Sequence, residues 1–194
     1  MLFNYLQTNW IEITGTILSL IYLYLSIKQK ISLWIFGFLC SALYVVVFWR
    51  SKFYADMSLQ FYYLAVSVYG WINWKNGAHT NLNEIKIEKT NLKKAVYLLL
   101  TSVLIYFLYY FILKNYTDSP LPKADSFTTA LSIVATWMLA RKLIENWLLW
   151  ILIDAVSSGL YFYKQLFPTA ILFGIYTIMA LVGYLQWRKS ISKT

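Results

Sequence analysis

A chain of 194 residues with 60% hydrophobic, 20% aromatic and only 13% charged side chains lies well outside the composition of soluble domains. Its formal charge of +9 does not point to nucleic acid, because Lys and Arg fall in short clusters between apolar runs, as the loop charges of membrane proteins do. A single cysteine, Cys40, inside an apolar run, and a single histidine, His79, in the most polar loop, leave no disulfide framework and exclude a His/Cys metal cluster, so neither metal nor cofactor is expected.

Apolar runs of about 17–25 residues are long enough to cross a hydrocarbon core. The first, Trp10–Ile27, follows residues with no basic region, and is expected to act as an uncleaved insertion signal. Ile31–Trp49 and Ala55–Trp74 come next. The fourth run, Ala95–Leu113, has almost no polar residues and reads as a lipid-facing connector without chemistry of its own. The fifth, Asp125–Ala140, is short and carries Ser126, Thr128, Thr129, Ser132 and Thr136, so its polar side should face other helices. Trp147–Tyr163 and Pro168–Trp187 complete seven spans, with Trp and Tyr crowding most ends as interface anchors.

Charge placement predicts direction. Lys28, Lys30, Lys75, Lys86, Lys89, Lys93, Lys94, Arg141, Lys142, Arg188, Lys189 and Lys193 fall on one side, against Arg50, Lys52, Lys114, Lys123 and Lys164 on the other. Twelve against five places the N-terminus outside and the C-terminus in the cytoplasm.

Shifting the sequence by 113 positions aligns Thr14–Lys75 with Phe127–Arg188 without a gap. Identical pairs include Thr16/Thr129, Ser19/Ser132, Trp34/Trp147, Tyr63/Tyr176, Gly70/Gly183 and Trp74/Trp187. The expected architecture is therefore all-α and integral to the membrane: a three-helix repeat over 10–77, a linker helix over 95–113 and a second three-helix repeat over 125–189. One span between the triplets sets both the same way up, an arrangement used by transporters that bind substrate at the repeat interface.

Ionisable groups inside spans are costly and point to function. Asp154 closes the pattern Trp147-x-x-Trp150-x-x-x-Asp154, which puts two indoles and a carboxylate on one helical face. Such a face suits a flat, positively charged organic ring. The alternative is a structural Asp bonded to a neighbouring helix, with Trp147 as an interface anchor. Gln60 is a second candidate, able to read hydroxyls or an amide, or to bond between helices. Tyr63, its repeat mate Tyr176, and Trp34, the mate of Trp147, either wall a pocket or pack. Glu12 could draw a cation to the outer mouth, Asp56 and Asp125 read as helix caps, and Glu145 should serve the N-terminus of the sixth helix.

The stretch Glu145-Asn146-Trp147-Leu148-Leu149-Trp150-Ile151-Leu152-Ile153-Asp154 resembles the W-x-x-W-x-x-x-N/D signature of the PnuC family of nicotinamide riboside transporters. Trp10-Ile11-Glu12 and Tyr69-Gly70-Trp71-Ile72-Asn73-Trp74 support the match, which covers essentially the whole chain. The resemblance implies a fold like that of the SWEET sugar transporters, in the bacterial inner membrane. It also implies passive carriage of a vitamin precursor trapped by cytoplasmic phosphorylation, and self-association as a trimer. Carried over, the ligand site falls on Trp147, Trp150 and Asp154 with Gln60 opposite. Relatives that carry thiamine keep the cargo open between two flat cations. Other classes fare worse: a retinal photoreceptor needs a lysine inside a span, and an enzyme needs a nucleophile–base pair or metal cluster. No Walker-type loop is present to couple ATP, whereas proton coupling through Asp154 stays open.

Overall fold

The computed structural model describes residues 10–50, 54–79 and 86–191. Seven helices follow one another: α1 (Trp10–Ile27), α2 (Leu33–Arg50), α3 (Tyr54–His79), α4 (Leu92–Tyr116), α5 (Pro122–Ala140), α6 (Asn146–Tyr163) and α7 (Phe167–Ile191). An apolar chain in a bilayer must satisfy its backbone internally, which helices do without partners. By length and hydropathy α2, α4 and α7 are each sufficient to cross a membrane alone. α1 is equally apolar over its described stretch Ile13–Ile27, whereas α3, α5 and α6 carry polar side chains that packing against neighbours has to cover.

Helix ends run past the apolar runs. α3 continues beyond Trp74 to His79 and α4 begins at Leu92, where Asn91 caps it by accepting the amide of Lys94 at 2.8 Å. Pro122 opens α5, its missing N–H being no loss in a first turn. Three interhelical turns share one construction. Gln29, Lys142 and Gln165 adopt φ of 54°, 51° and 60°, and each follows a helix end closed by paired back-bonds. In the first, Gln29 N–H donates to Ser26 O and Lys30 N–H to Leu25 O; in the second, Lys142 donates to Leu139 and Leu143 to Met138. This is the Schellman closure, usually built on glycine. Gln29 and Lys142 are 113 residues apart, so the turns match in register.

In space α2 packs between α1 and α3, and α6 between α5 and α7. The two triplets meet along α3–α5 and α1–α7, while α4 leans on α5. Leu98 and Ser102 are the buried residues of α4, and the rest of its surface is largely exposed apolar side chain. α5 is the opposite: Ser126, Ser132 and Thr136 are all buried, and Ser126 and Thr136 donate to carbonyls one turn back, to Pro122 O and Ser132 O.

The core holds two similar aromatic seams. Trp34 meets Trp74 edge-on with ring centroids 5.6 Å apart and planes at 88°. Trp147 meets Trp187 at 5.6 Å and 82°. Glycine makes each seam possible, because a Cβ on Gly70 would sit 2.4 Å from the Trp34 ring, and one on Gly183 would sit 2.6 Å from that of Trp147. Each outer indole then reaches the other triplet: Trp74 Nε1 donates to Ala140 O (3.1 Å) and Trp187 Nε1 to Ser26 O (3.2 Å).

Candidate functional site

α6 brings the key carboxylate to the interior. Asp154 lies two turns along the helix from Trp147, about 10 Å by rise per residue, and is only 6% exposed. Among the described residues it has neither an ion-pair nor a hydrogen-bond partner. A carboxylate buried without compensation is expensive, so a structural Asp bonded to a neighbouring helix is not what the packing provides.

Tyrosines surround it. Tyr63 on α3 and Tyr176 on α7 both lie within electrostatic range of Asp154. The hydroxyls of Ser132 and Thr136 on α5 face the Tyr63 phenol. On the other side Tyr176 Oη and Ser19 Oγ on α1 share a hydrogen bond across 157 residues of sequence. Tyr62 donates to Ile133 O at 2.7 Å, and Tyr22 on α1 lies close to Tyr62, Tyr63 and Cys40. The group therefore draws side chains from α1, α2, α3, α5, α6 and α7, and sits where the two triplets meet.

The candidates named from sequence separate into two sets. Asp154, Tyr63 and Tyr176 come together. Trp147 and Trp34 do not join them: each is 1% exposed and wedged in its own triplet's aromatic seam. The burial of Trp147 excludes an interface-anchor role, since an anchor faces the lipid headgroups. Both indole N–H groups are buried and lack a partner among the described residues. Trp150, half-buried, packs against the core between Trp147 and Asp154. Gln60 is half-buried on α3 one turn before Tyr63. The side chains of Glu12 and Asp56 lie outside the described residues.

Two local expectations resolve differently. Asp125 does sit in the first turn of α5, accepting from Ser119 Oγ at 2.6 Å and pairing with Lys164 at 3.5 Å. Glu145 does not cap α6 with its side chain. Its Oε2 instead accepts from the backbone N–H (3.0 Å) and hydroxyl (2.6 Å) of Thr90. That contact belongs to a strap in which residues 86–91 cross the α5–α6 turn, where Glu88 N donates to Lys142 O and Ile144 N donates to Glu88 O. Helix-capping rules see only neighbours in sequence, so the longer reach was invisible to them.

Ser19, Tyr22, Tyr62, Ser132 and Thr136 were missed as site residues. A signal for two of them existed: Ser19/Ser132 and Tyr63/Tyr176 are identical pairs of the 113-residue shift, and the contacts join one member of each.

Chemically the group offers an unpaired anion, phenol faces and hydroxyls, with no Lys or Arg in the middle of any helix. It can take an organic cation. Among the described residues no set of three His, Cys, Asp or Glu side chains converges to hold a metal.

A family model described as nicotinamide mononucleotide transporter matches residues 9–189. The nicotinamide riboside transporter PnuC of Escherichia coli (strain K12) is 29% identical over 94% of this chain and 86% of its own. The riboflavin/roseoflavin transporter RibM of Streptomyces davaonensis is 25% identical over 92% of this chain and 84% of its own. In fold, a crystal structure of the vitamin B3 transporter PnuC matches with a TM-score of 0.76 at 23% identity, covering 99% of this chain and 86% of that one.

Proposed function

We infer the function from one premise: the chain belongs to the nicotinamide mononucleotide transporter family. It is a multi-pass membrane transporter of vitamin-type substrates and not an enzyme. The specific reading is facilitated uptake of nicotinamide riboside across the bacterial inner membrane, followed by trapping through cytoplasmic phosphorylation.

The observation that carries this reading is Asp154, a buried carboxylate with no partner among the described residues, flanked by Tyr63 and Tyr176 at the meeting of the two triplets. A pyridinium ring would supply the missing positive charge and stack on aromatic faces, with half-buried Trp150 one turn before Asp154 on the same helix. The same argument favours the riboside over its phosphate ester. A phosphate calls for Lys or Arg, and every basic residue here is in a loop or toward a helix end. Gln60 completes the proposed lining from α3.

Movement follows from the layout. The triplets 10–77 and 125–189, joined by 95–113, would rock about the seams α1–α7 and α3–α5 to expose Asp154 alternately. Matched turns at Gln29 and Lys142 and matched Trp–Gly seams support their treatment as equivalent halves. The basic side, with the C-terminus, faces the cytoplasm.

Purified protein in liposomes tests the reading. Labelled nicotinamide riboside should equilibrate without ATP or an ion gradient. Thiamine and riboflavin are run beside it: equilibration of thiamine alone would change the cargo, and exclusive uptake of uncharged riboflavin would remove the role given to Asp154. Asp154→Ala removes the charge and both acceptor oxygens, so affinity for the riboside should fall roughly ten- to a hundredfold, the worth of a charge-assisted contact of about 1.5–3 kcal/mol.

A further inference from the structure

We propose that the two tyrosine–serine sets, Tyr176 with Ser19 and Tyr63 with Ser132 and Thr136, read hydroxyl groups on the substrate beside its cationic ring. This rests on the transport reading above and extends it to residues that the helix 6 signature does not contain.

The first observation is that the sets are related. Positions 19 and 132, and 63 and 176, each differ by 113, and in each set the tyrosine comes from one triplet and the hydroxyl residue from the other. Both tyrosines also face Asp154. The two sets therefore occupy equivalent places on either side of the carboxylate.

The second observation is where the hydroxyl protons go. Ser19 Oγ donates to Thr16 O at 2.9 Å, so in its bond with Tyr176 it is the acceptor and the phenol is the donor. Thr136 Oγ1 donates to Ser132 O at 2.7 Å, which leaves its oxygen free to accept beside the Tyr63 phenol. Tyr62 has likewise given its proton to Ile133 O. With the Tyr176 and Tyr62 protons committed inside the protein, these phenols present lone pairs to the centre, and Asp154 as a carboxylate only accepts. The group is rich in acceptors and poor in donors. A matching ligand brings donors together with positive charge, as a ring cation carrying a vicinal diol does; a phosphate or a second carboxylate does not match.

The position of the sets adds a consequence. The Tyr176–Ser19 bond joins the two triplets, and the Tyr63 phenol of one lies beside the Ser132 and Thr136 hydroxyls of the other, so a ligand hydroxyl at either phenol sits at their junction.

Binding to the full-length protein in detergent tests the proposal, using titration calorimetry with two probes. Nicotinamide riboside carries the ring cation and the sugar; 1-methylnicotinamide carries the same ring cation and no hydroxyl. Tyr176→Phe and Tyr63→Phe should each weaken riboside binding by about three- to tenfold, the worth of one neutral hydrogen bond, and leave 1-methylnicotinamide within about twofold. Ser19→Ala, which frees the Tyr176 proton and alters what the phenol presents, should show the same selectivity, and Ser19→Thr should restore it. The alanine variant also serves where a phenylalanine variant does not fold. Equal weakening of both probes, or no weakening of either, overturns the hydroxyl-reading role while leaving the cation site intact. Wild-type protein that binds neither probe overturns the transport reading and this proposal with it.

Discussion

A methyl group added at Gly183 tests the seam that holds the sixth helix. An alanine Cβ there would lie 2.6 Å from Cζ3 and 2.7 Å from Cε3 and Cη2 of Trp147. Carbon atoms pack at about 3.5–4.0 Å, so the overlap is about 1 Å against an indole that is 1% exposed and has nowhere to retreat. Overpacking of this kind costs about 1–3 kcal/mol, and the better helix propensity of alanine returns about 0.5–1 kcal/mol. Gly159, within α6, is the matched control for Gly183 in α7, because nothing lies within 4 Å of a Cβ placed there. Gly159→Ala should therefore gain the propensity term alone. The propensity term cancels between the two variants, which should differ by about 1–3 kcal/mol, or roughly 2–12 °C in melting temperature for a chain of this size. Thermal unfolding in detergent, followed by tryptophan fluorescence at one scan rate, reads the difference. Because Trp147 shares α6 with Trp150 and Asp154, Gly183→Ala should also lower riboside uptake. A Gly183→Ala protein that melts at or above Gly159→Ala would refute the close packing from which the estimate is built.

Two further expectations concern the ties between the triplets. Trp187→Phe and Trp74→Phe each delete one indole N–H while keeping an aromatic ring, and each leaves a carbonyl that keeps a second donor. Ser26 O keeps the Gln29 N–H at 3.1 Å, and Ala140 O keeps Asn73 Nδ2 at 2.9 Å. The two variants should therefore lose similar stability, about 1 kcal/mol each, measured by the same melting assay; a loss in one and none in the other would refute the equivalence. Glu145→Ala removes the acceptor for two Thr90 donors and should free the strap, raising the rate of trypsin cleavage after Lys86 and Lys89 by roughly tenfold, the factor that about 1.4 kcal/mol represents. Unchanged cleavage would mean that the strap is held by Glu88 alone.

Composition by itself determined that the chain is helical and membrane-embedded, because an apolar chain in lipid has to close its backbone hydrogen bonds within each span. The exposed apolar surface of α4 and the buried polar side of α5 were legible for a related reason: lipid tolerates one and not the other. The prominence of Asp154 was legible too, since a carboxylate amid apolar residues stands out in any listing of the chain. Helix ends were less so. Hydropathy stops where polar residues begin, at Trp74 or before Ala95, but the backbone keeps its bonds until a cap or a turn interrupts it at His79 or Asn91. The turns at Gln29, Lys142 and Gln165 carry no glycine to announce them.

Only the tertiary structure decided which polar residues share a space. Trp147 and Asp154 lie on one helical face by spacing alone, yet packing sends the indole into a seam with Gly183 and Trp187 and leaves the carboxylate among tyrosines of two other helices. Ser19 and Tyr176 are 157 residues apart, and Glu145 and Thr90 are 55 apart. Sequence periodicity says which way a side chain leaves its own helix; it carries no information about which other helix is waiting there.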